Sequence, residues 1–204
     1  MAQMTPRTSP CRIIGGAALA LLLGAPGAWA KTPASCDAKQ TILVRHAFTV
    51  AERRTEAALA FLDANPHHPY VREWFGTTPP AKIRVRLART LEMLRPDRRP
   101  QHLCGTADSC GNRPIFAIAN LTHRTVMLCP LFFNARNEGA DSRPGVMVHE
   151  TSHLAAGTGD MAYGRNAALA LARKEPDRAA LNADNYEYFV EFLPERAATR
   201  PGTR

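Results

Sequence analysis

The chain has 204 residues, 45 % of them hydrophobic and 22 % charged, with a formal net charge of +8. Such a length suits one domain with a real buried core. The excess of arginine is spread along the chain, with modest clusters at Arg84-Arg86-Arg89 and Arg95-Arg98-Arg99; this reads as a solvated basic surface and argues against a nucleic-acid-binding patch.

In chain order, residues 1–30 have the pattern of a secretory signal. Arg7 and Arg12 precede an apolar run from Ile13 to Ala25, and Ala28-Trp29-Ala30 supplies an A-x-A cleavage site. The run falls short of the roughly 20 residues that span a bilayer, and nothing later is long and apolar enough to do so. The expected mature protein is exported, to the periplasm or the medium, and free of the membrane. Cys11 leaves with the signal; Cys36, Cys104, Cys110 and Cys129 remain. An even number in an exported chain predicts two disulfides, and four cysteines allow three pairings. A zinc cluster of these four is the rival, weakened by the lack of a C-x-x-C pair.

Residues 37–64 are predicted helical, with apolar residues recurring at Ile42, Val44, Phe48, Val50, Ala51, Ala58, Leu59 and Leu62. Asn65-Pro66-His67-His68-Pro69 ends that helix; the prolines favour an exposed loop over a metal site for the paired histidines. A short helical turn follows at Tyr70 to Phe75, with Trp74 and Phe75 under the core. Lys82 to Leu94 is a second amphipathic helix, with Ile83, Val85, Leu87, Leu91 and Leu94 inward. Residues 97–113 read as loop. Residues 115–119 and 125–128 are short β-prone runs around Asn120-Leu121-Thr122-His123, the pattern of a hairpin. Its edge lies near the next helix in chain order, where it would hold an extended peptide by strand addition.

That next helix contains His149-Glu150-Thr151-Ser152-His153, an H-E-x-x-H sequence. Asp141 or Ser142 suits its cap, Pro144 its first turn and Gly157 its end. Residues four apart share a helix face, so His149 and His153 can aim two imidazoles at one ion, with Glu150 beside them to take a proton from water. Three fixed letters alone arise by chance. A delimited helix, and a carboxylate and a tyrosine directly behind glycines, strengthen the signal. A catalytic zinc needs a third protein ligand and an open position. A third histidine in the H-x-x-G-x-x-H pattern is excluded, because Ala156 and Gly159 occupy those places. Glu175, Glu187 and Glu191 remain possible, and Asp160 is nearest, behind the Gly157-Thr158-Gly159 turn.

Asn166 to Lys174 reads as a helix. Asp177 is expected to cap a last helix running to about Leu193, with Leu181, Tyr188, Phe189 and Phe192 facing the core. Asp184, Glu187 and Glu191 share a face of it; spacing alone favours a solvated acidic stripe. The tail 195–204 is polar.

H-E-x-x-H followed by G-T-x-D-x-x-Y-G, complete from Gly157 to Gly164, resembles the aspzincin metalloendopeptidases, the deuterolysin and peptidyl-Lys metalloendopeptidase family. Val71-Arg72-Glu73-Trp74-Phe75-Gly76 and Leu128-Cys129-Pro130-Leu131-Phe132-Phe133 also resemble segments of that family. The resemblance implies an α+β, mainly α, zincin-like domain over residues 31–194, with a small antiparallel sheet beside the zinc helix. It implies one Zn2+ held by His149, His153 and Asp160, with Glu150 as general base and Tyr163 as hydrogen-bond donor to the transition state. It implies disulfides Cys36–Cys104 and Cys110–Cys129. Asn182-Ala183-Asp184-Asn185-Tyr186-Glu187-Tyr188-Phe189 resembles the peptidyl-Lys branch, which implies that Asp184 and Glu187 bind the substrate lysine after the scissile bond. The function so implied is hydrolysis of protein or peptide substrates by a monomer, at Xaa-Lys bonds. A broader deuterolysin-like specificity is the nearer alternative, and a binding protein that keeps zinc for structure is the farther one.

Overall fold

The computed structural model describes residues 35–194; the expected signal segment 1–30 and the tail 195–204 lie outside them. Helix α1 (Ala38–Ala64) begins at a reciprocal cap: the Asp37 side chain accepts from Gln40 N, and the Gln40 side chain accepts from Asp37 N. Its buried stripe is Val44, Ala47, Phe48, Ala51, Ala58 and Leu62. Ile42 was expected among them and is 64 % exposed. It stands two residues before Val44, about 200° round the helix from it. The same displacement exposes Val85 on α3 (Pro80–Leu94), between the buried Ile83 and Leu87. Helix α2 (Pro69–Phe75) sinks Trp74 and Phe75 completely. Its start is capped by the His68 ring, which accepts from Tyr70 N.

The sheet has three strands in the order β1-β3-β2. β2 (Ala117–Asn120) and β3 (Thr125–Leu128) form the antiparallel hairpin, and β1 (Gln101–Cys104) adds in parallel on the other side of β3. The sheet is therefore mixed, and part of the stretch read as loop is a strand. Gln101-His102-Leu103-Cys104 carries little β signal of its own; pairing with β3 and the Cys36–Cys104 disulfide fix it. The second disulfide, Cys110–Cys129, brackets the hairpin. Both pairings are those implied by the family resemblance, and a cluster of four free thiolates is ruled out. β2 is an edge strand.

A one-turn helix α4 (Pro130–Asn134) leads to α5 (Arg143–Ala156), the H-E-x-x-H helix. Helix α5 packs against α1, α3, β2 and α8 (Ala183–Glu191). It is buried continuously from Pro144 to Ser152. Between α5 and α8 come α6 (Arg165–Lys174) and a single turn, α7 (Pro176–Ala179). The last helix is thus split, and it starts at Ala183 rather than after Asp177. The break at Leu181–Asn182 has a cause: backbone groups there pair with Gly159, away from the helical ladder. Tyr188 and Phe189 are buried as expected, with Tyr70 stacked on Phe189 at 5.2 Å and Trp74 on Tyr188 at 5.8 Å.

Candidate metal centre and cleft

Local sequence aims the site. Ser142 caps α5, its hydroxyl accepting from Gly145 N at 3.1 Å, and Gly157 ends the helix in the left-handed region at φ 67°. One turn apart on α5, the His149 and His153 rings lie 4.8 Å apart. Beyond Gly157 the chain doubles back. Gly159 N donates to Leu181 O at 2.8 Å and Ala183 N donates to Gly159 O at 3.0 Å. The Asn182 side chain accepts from Met161 N and Ala162 N and donates to Ala162 O. These bonds hold Asp160 over α5, with Oδ1 3.1 Å from His149 Nε2 and 3.2 Å from His153 Nε2.

The other ring nitrogens define the tautomers. His153 Nδ1 lies 2.9 Å from Thr158 O, which only accepts. His149 Nδ1 lies 2.9 Å from Asp184 Oδ1 and 3.1 Å from Glu187 Oε2. Each Nδ1 therefore carries the hydrogen, and each Nε2 turns a lone pair toward Asp160. Three electron-pair donors face one another, an arrangement that repels unless a cation or a proton stands among them. Ligand atoms about 2.0–2.1 Å from a tetrahedral zinc stand roughly 3.3 Å apart, close to the spacing here. The His149, His153 and Asp160 set fits such an ion, and each histidine has the acceptor on its second nitrogen that ligating histidines need. A second grouping, His149 with Asp184 and Glu187, also clusters. It is accounted for by hydrogen bonding, because His149 Nδ1–H already serves both carboxylates and Asp184 Oδ2 accepts from Gly164 N at 2.5 Å.

Burial opposes a charge on His149, but hydrogen bonds to Asp160, Asp184 and Glu187 outweigh it and push the imidazole well above its ordinary value. Burial likewise opposes the Asp160 carboxylate, and the two histidines outweigh it and hold that carboxyl far below the usual range. Glu150, 6 % exposed, is pushed up by burial, opposed by the two histidines.

Two clefts flank this cluster and share Glu150, Asp160 and Tyr163. The larger, about 610 Å³, is also lined by Ala117 of β2 and by Asp141, Asp184 and Glu187. The smaller, about 390 Å³, runs past His153, Ile118, Ala119 and Leu121. The β2 edge borders both. Asp184 and Glu187 are 4 % and 3 % exposed, so a solvated acidic face is excluded. Tyr163 is 69 % exposed and stands where the clefts meet. The structure thus brings together all seven site residues singled out in the sequence. Sequence reasoning missed the residues that aim them: Thr158, Asn182 and Asp141, whose carboxylate accepts from Tyr188 O–H at 2.7 Å. Each stood in a stretch already singled out, Thr158 inside G-T-x-D, Asn182 at the head of N-A-D-x-x-E-Y-F and Asp141 as a candidate cap, but none was given this role.

A sequence profile of the aspzincin family, described as lysine-specific metallo-endopeptidase, matches residues 60–191. A peptidyl-Lys metalloendopeptidase of Grifola frondosa is 49 % identical over 75 residues, 36 % of this chain and 22 % of the relative. One from Pleurotus ostreatus is 41 % identical over 92 residues, 44 % of this chain and 55 % of the relative. An extracellular protease of Aeromonas hydrophila is 49 % identical over 71 residues, 34 % of this chain and 20 % of the relative. The chain therefore spans between a fifth and about half of the length of these curated relatives. Among solved structures, a zinc peptidase from Grifola frondosa superimposes with a TM-score of 0.66 at 30 % identity, covering 76 % of this chain and 96 % of that one. With the profile running from within α1 to the end of α8, the chain belongs to the aspzincin family.

Proposed function

We propose that the protein is an exported zinc endopeptidase that cleaves peptide bonds on the amine side of lysine. The observation that carries this reading is the trio of inward lone pairs on His149, His153 and Asp160, set beside a buried Glu150 in a groove bordered by an edge strand. Export is supported by the apolar segment 13–25 and by two disulfides, which persist in oxidising compartments. Among the described residues no helix is long and apolar enough to cross a membrane.

A divalent ion held by the three side chains supplies Lewis acidity, polarising a carbonyl and easing the ionisation of water. The protein's own groups do the rest. An extended substrate adds to the free edge of β2, which places its backbone along both clefts. Glu150, dry and biased toward holding a proton, takes one from the attacking water and returns it to the leaving amine. Tyr163 donates its hydroxyl hydrogen to the oxyanion that forms as the carbonyl becomes tetrahedral. Tyr163→Phe is expected to lower kcat roughly 10²-fold with little change in KM; a steady-state titration against a peptide substrate checks it, and a change confined to KM would move Tyr163 to substrate binding.

Specificity follows from charge. Asp184 and Glu187 line the larger cleft, each accepting from His149 Nδ1–H, and Asp141 adds a third carboxylate. An ammonium group on a long stem satisfies that lining, whereas an apolar side chain leaves it unpaired. Mapping the cuts made in a denatured protein tests the preference: they should cluster before lysine. The Asp184→Asn, Glu187→Gln double variant should lower the ratio of lysine to other cuts by about tenfold or more. Cuts scattered without regard to lysine by the parent protein would instead fit a broad-specificity endopeptidase.

A further inference from the structure

The two clefts beside the metal centre differ in charge. The larger holds three carboxylates in addition to Glu150 and Asp160: Asp141, Asp184 and Glu187. The smaller holds none of those three and has Arg113 instead, the only lysine or arginine among the residues lining either cleft. The wall around it is apolar, with Ile115, Ile118 and Leu121, the last 65 % exposed. Arginines elsewhere have acidic partners, such as Arg84 with Asp63 and Arg99 with Glu52. Among the described residues no carboxylate pairs with Arg113. Its backbone is firmly placed. Cys110 is tied to Cys129, the residue after β3. Gly111 and Asn112 then turn the chain through the left-handed region, at φ 69° and 52°. Asn112 N donates to Ala107 O at 2.8 Å, and Ile115 N donates to Arg113 O at 2.9 Å. The Arg113 side chain folds back over Gly111, where a Cβ would stand 3.4 Å from its Nε.

We propose that Arg113 is a specificity-determining residue, which pairs with an aspartate or glutamate of the substrate on the carbonyl side of the scissile bond. The inference rests on the reading of the larger cleft as the lysine site. With lysine there, the amine side of the cut occupies the larger cleft. Glu150, Asp160 and Tyr163 belong to both clefts, so the cut falls between them and the carbonyl side occupies the smaller. Strand β2 gives the same direction independently. Ala117 borders both clefts, whereas Ile118, Ala119 and Leu121 border only the smaller. A peptide running from the smaller cleft to the larger is therefore antiparallel to β2, the more stable of the two strand pairings. In the smaller cleft a guanidinium fork meets the carboxylate, and the apolar wall covers its methylene stem. The groove thus takes an anion before the cut and a cation after it. A basic residue before the cut meets Arg113 as a like charge.

The test is a peptide series with a single lysine, carrying glutamate, glutamine or arginine in turn at each of the three positions before it. Arg113 is exposed, so the expected effect is that of a screened ion pair. At the position that faces Arg113, kcat/KM of the parent should be about threefold higher for glutamate than for glutamine, and lowest for arginine. Arg113→Gln should level the series, and Arg113→Glu should reverse it. Each result is a ratio within one enzyme preparation, so any loss of folded or metal-loaded protein cancels. In about 1 M salt the parental ratio should shrink toward one. Fluorescence anisotropy with labelled peptides and zinc-loaded Glu150→Gln protein should give the same order of affinities without cleavage. If the parent cuts none of the peptides, the peptidase reading fails, and the anisotropy order still decides the role of Arg113. Equal values for glutamate and glutamine at all three positions overturn the proposal. So does a preference for glutamate that survives unchanged in both Arg113 variants.

Discussion

Glu150→Gln should retain its zinc and lose turnover by about 10²–10⁴-fold, the usual contribution of a positioned general base. The expectation rests on placement. Glu150 is next to His149 on α5, yet its side chain is outside the ligand trio, and it lines both clefts. Glutamine preserves its volume and hydrogen bonding, so the fold and metal site should survive. What disappears is the ability to accept a proton from water. Burial already biases this carboxyl toward its acid form, with the two histidines opposing. That balance poises it to take a proton and give it back. Metal content by atomic absorption, measured on the sample used for kinetics, checks the claim. A variant that retains zinc and cuts at the parental rate would remove Glu150 from the reaction.

Asp160→Ala should lower zinc affinity by more than about 10²-fold, beyond what loss of a supporting hydrogen bond costs. Among the described residues Asp160 supplies the only carboxylate that contacts both Nε2 atoms. It arrives there because Asn182 and Gly159 fix the 158–162 segment against the start of α8. Those contacts do not involve the Asp160 side chain, so the variant should fold. In the metal-free protein the same substitution should bring His149 and His153 down, since Asp160 is the first of the groups that raise each. Sign follows from that: groups raised on folding stabilise below their unfolded value and lose that stabilisation as pH rises through the folded one. Metal-free Asp160→Ala should therefore lose more stability than it would at high pH when compared with the parent near pH 6. Competitive zinc titration with a chromophoric chelator measures the affinity; parental affinity in Asp160→Ala would exclude it as a ligand.

Much of the site was legible because its signals are local. Ser142, Pro144 and Gly157 punctuate α5, and two histidines at a four-residue interval need only a helix to converge. The Asp160 and Tyr163 assignments, and the disulfide pairing, needed the family resemblance, since spacing left several carboxylates and three pairings open. What stayed hidden is set by tertiary contact. β1 has four residues with weak intrinsic preference and exists because β3 and Cys36 meet it. The split between α7 and α8 comes from Gly159, more than twenty residues upstream. Ile42 and Val85 are apolar and off the buried stripe, which periodicity alone places only to within one helical step. The acidic stripe on α8 has the spacing of a solvated face, and only the packing of α5 reveals that Asp184 and Glu187 are buried against His149.

The most direct test is a crystal structure of the zinc-loaded protein with anomalous data collected at the metal edge. One ion should appear, within about 2.0–2.2 Å of His149 Nε2, His153 Nε2 and an Asp160 oxygen, with its remaining position open to solvent. An ion that leaves Asp160 uncoordinated, or one closed off by a fourth protein side chain, would contradict the account.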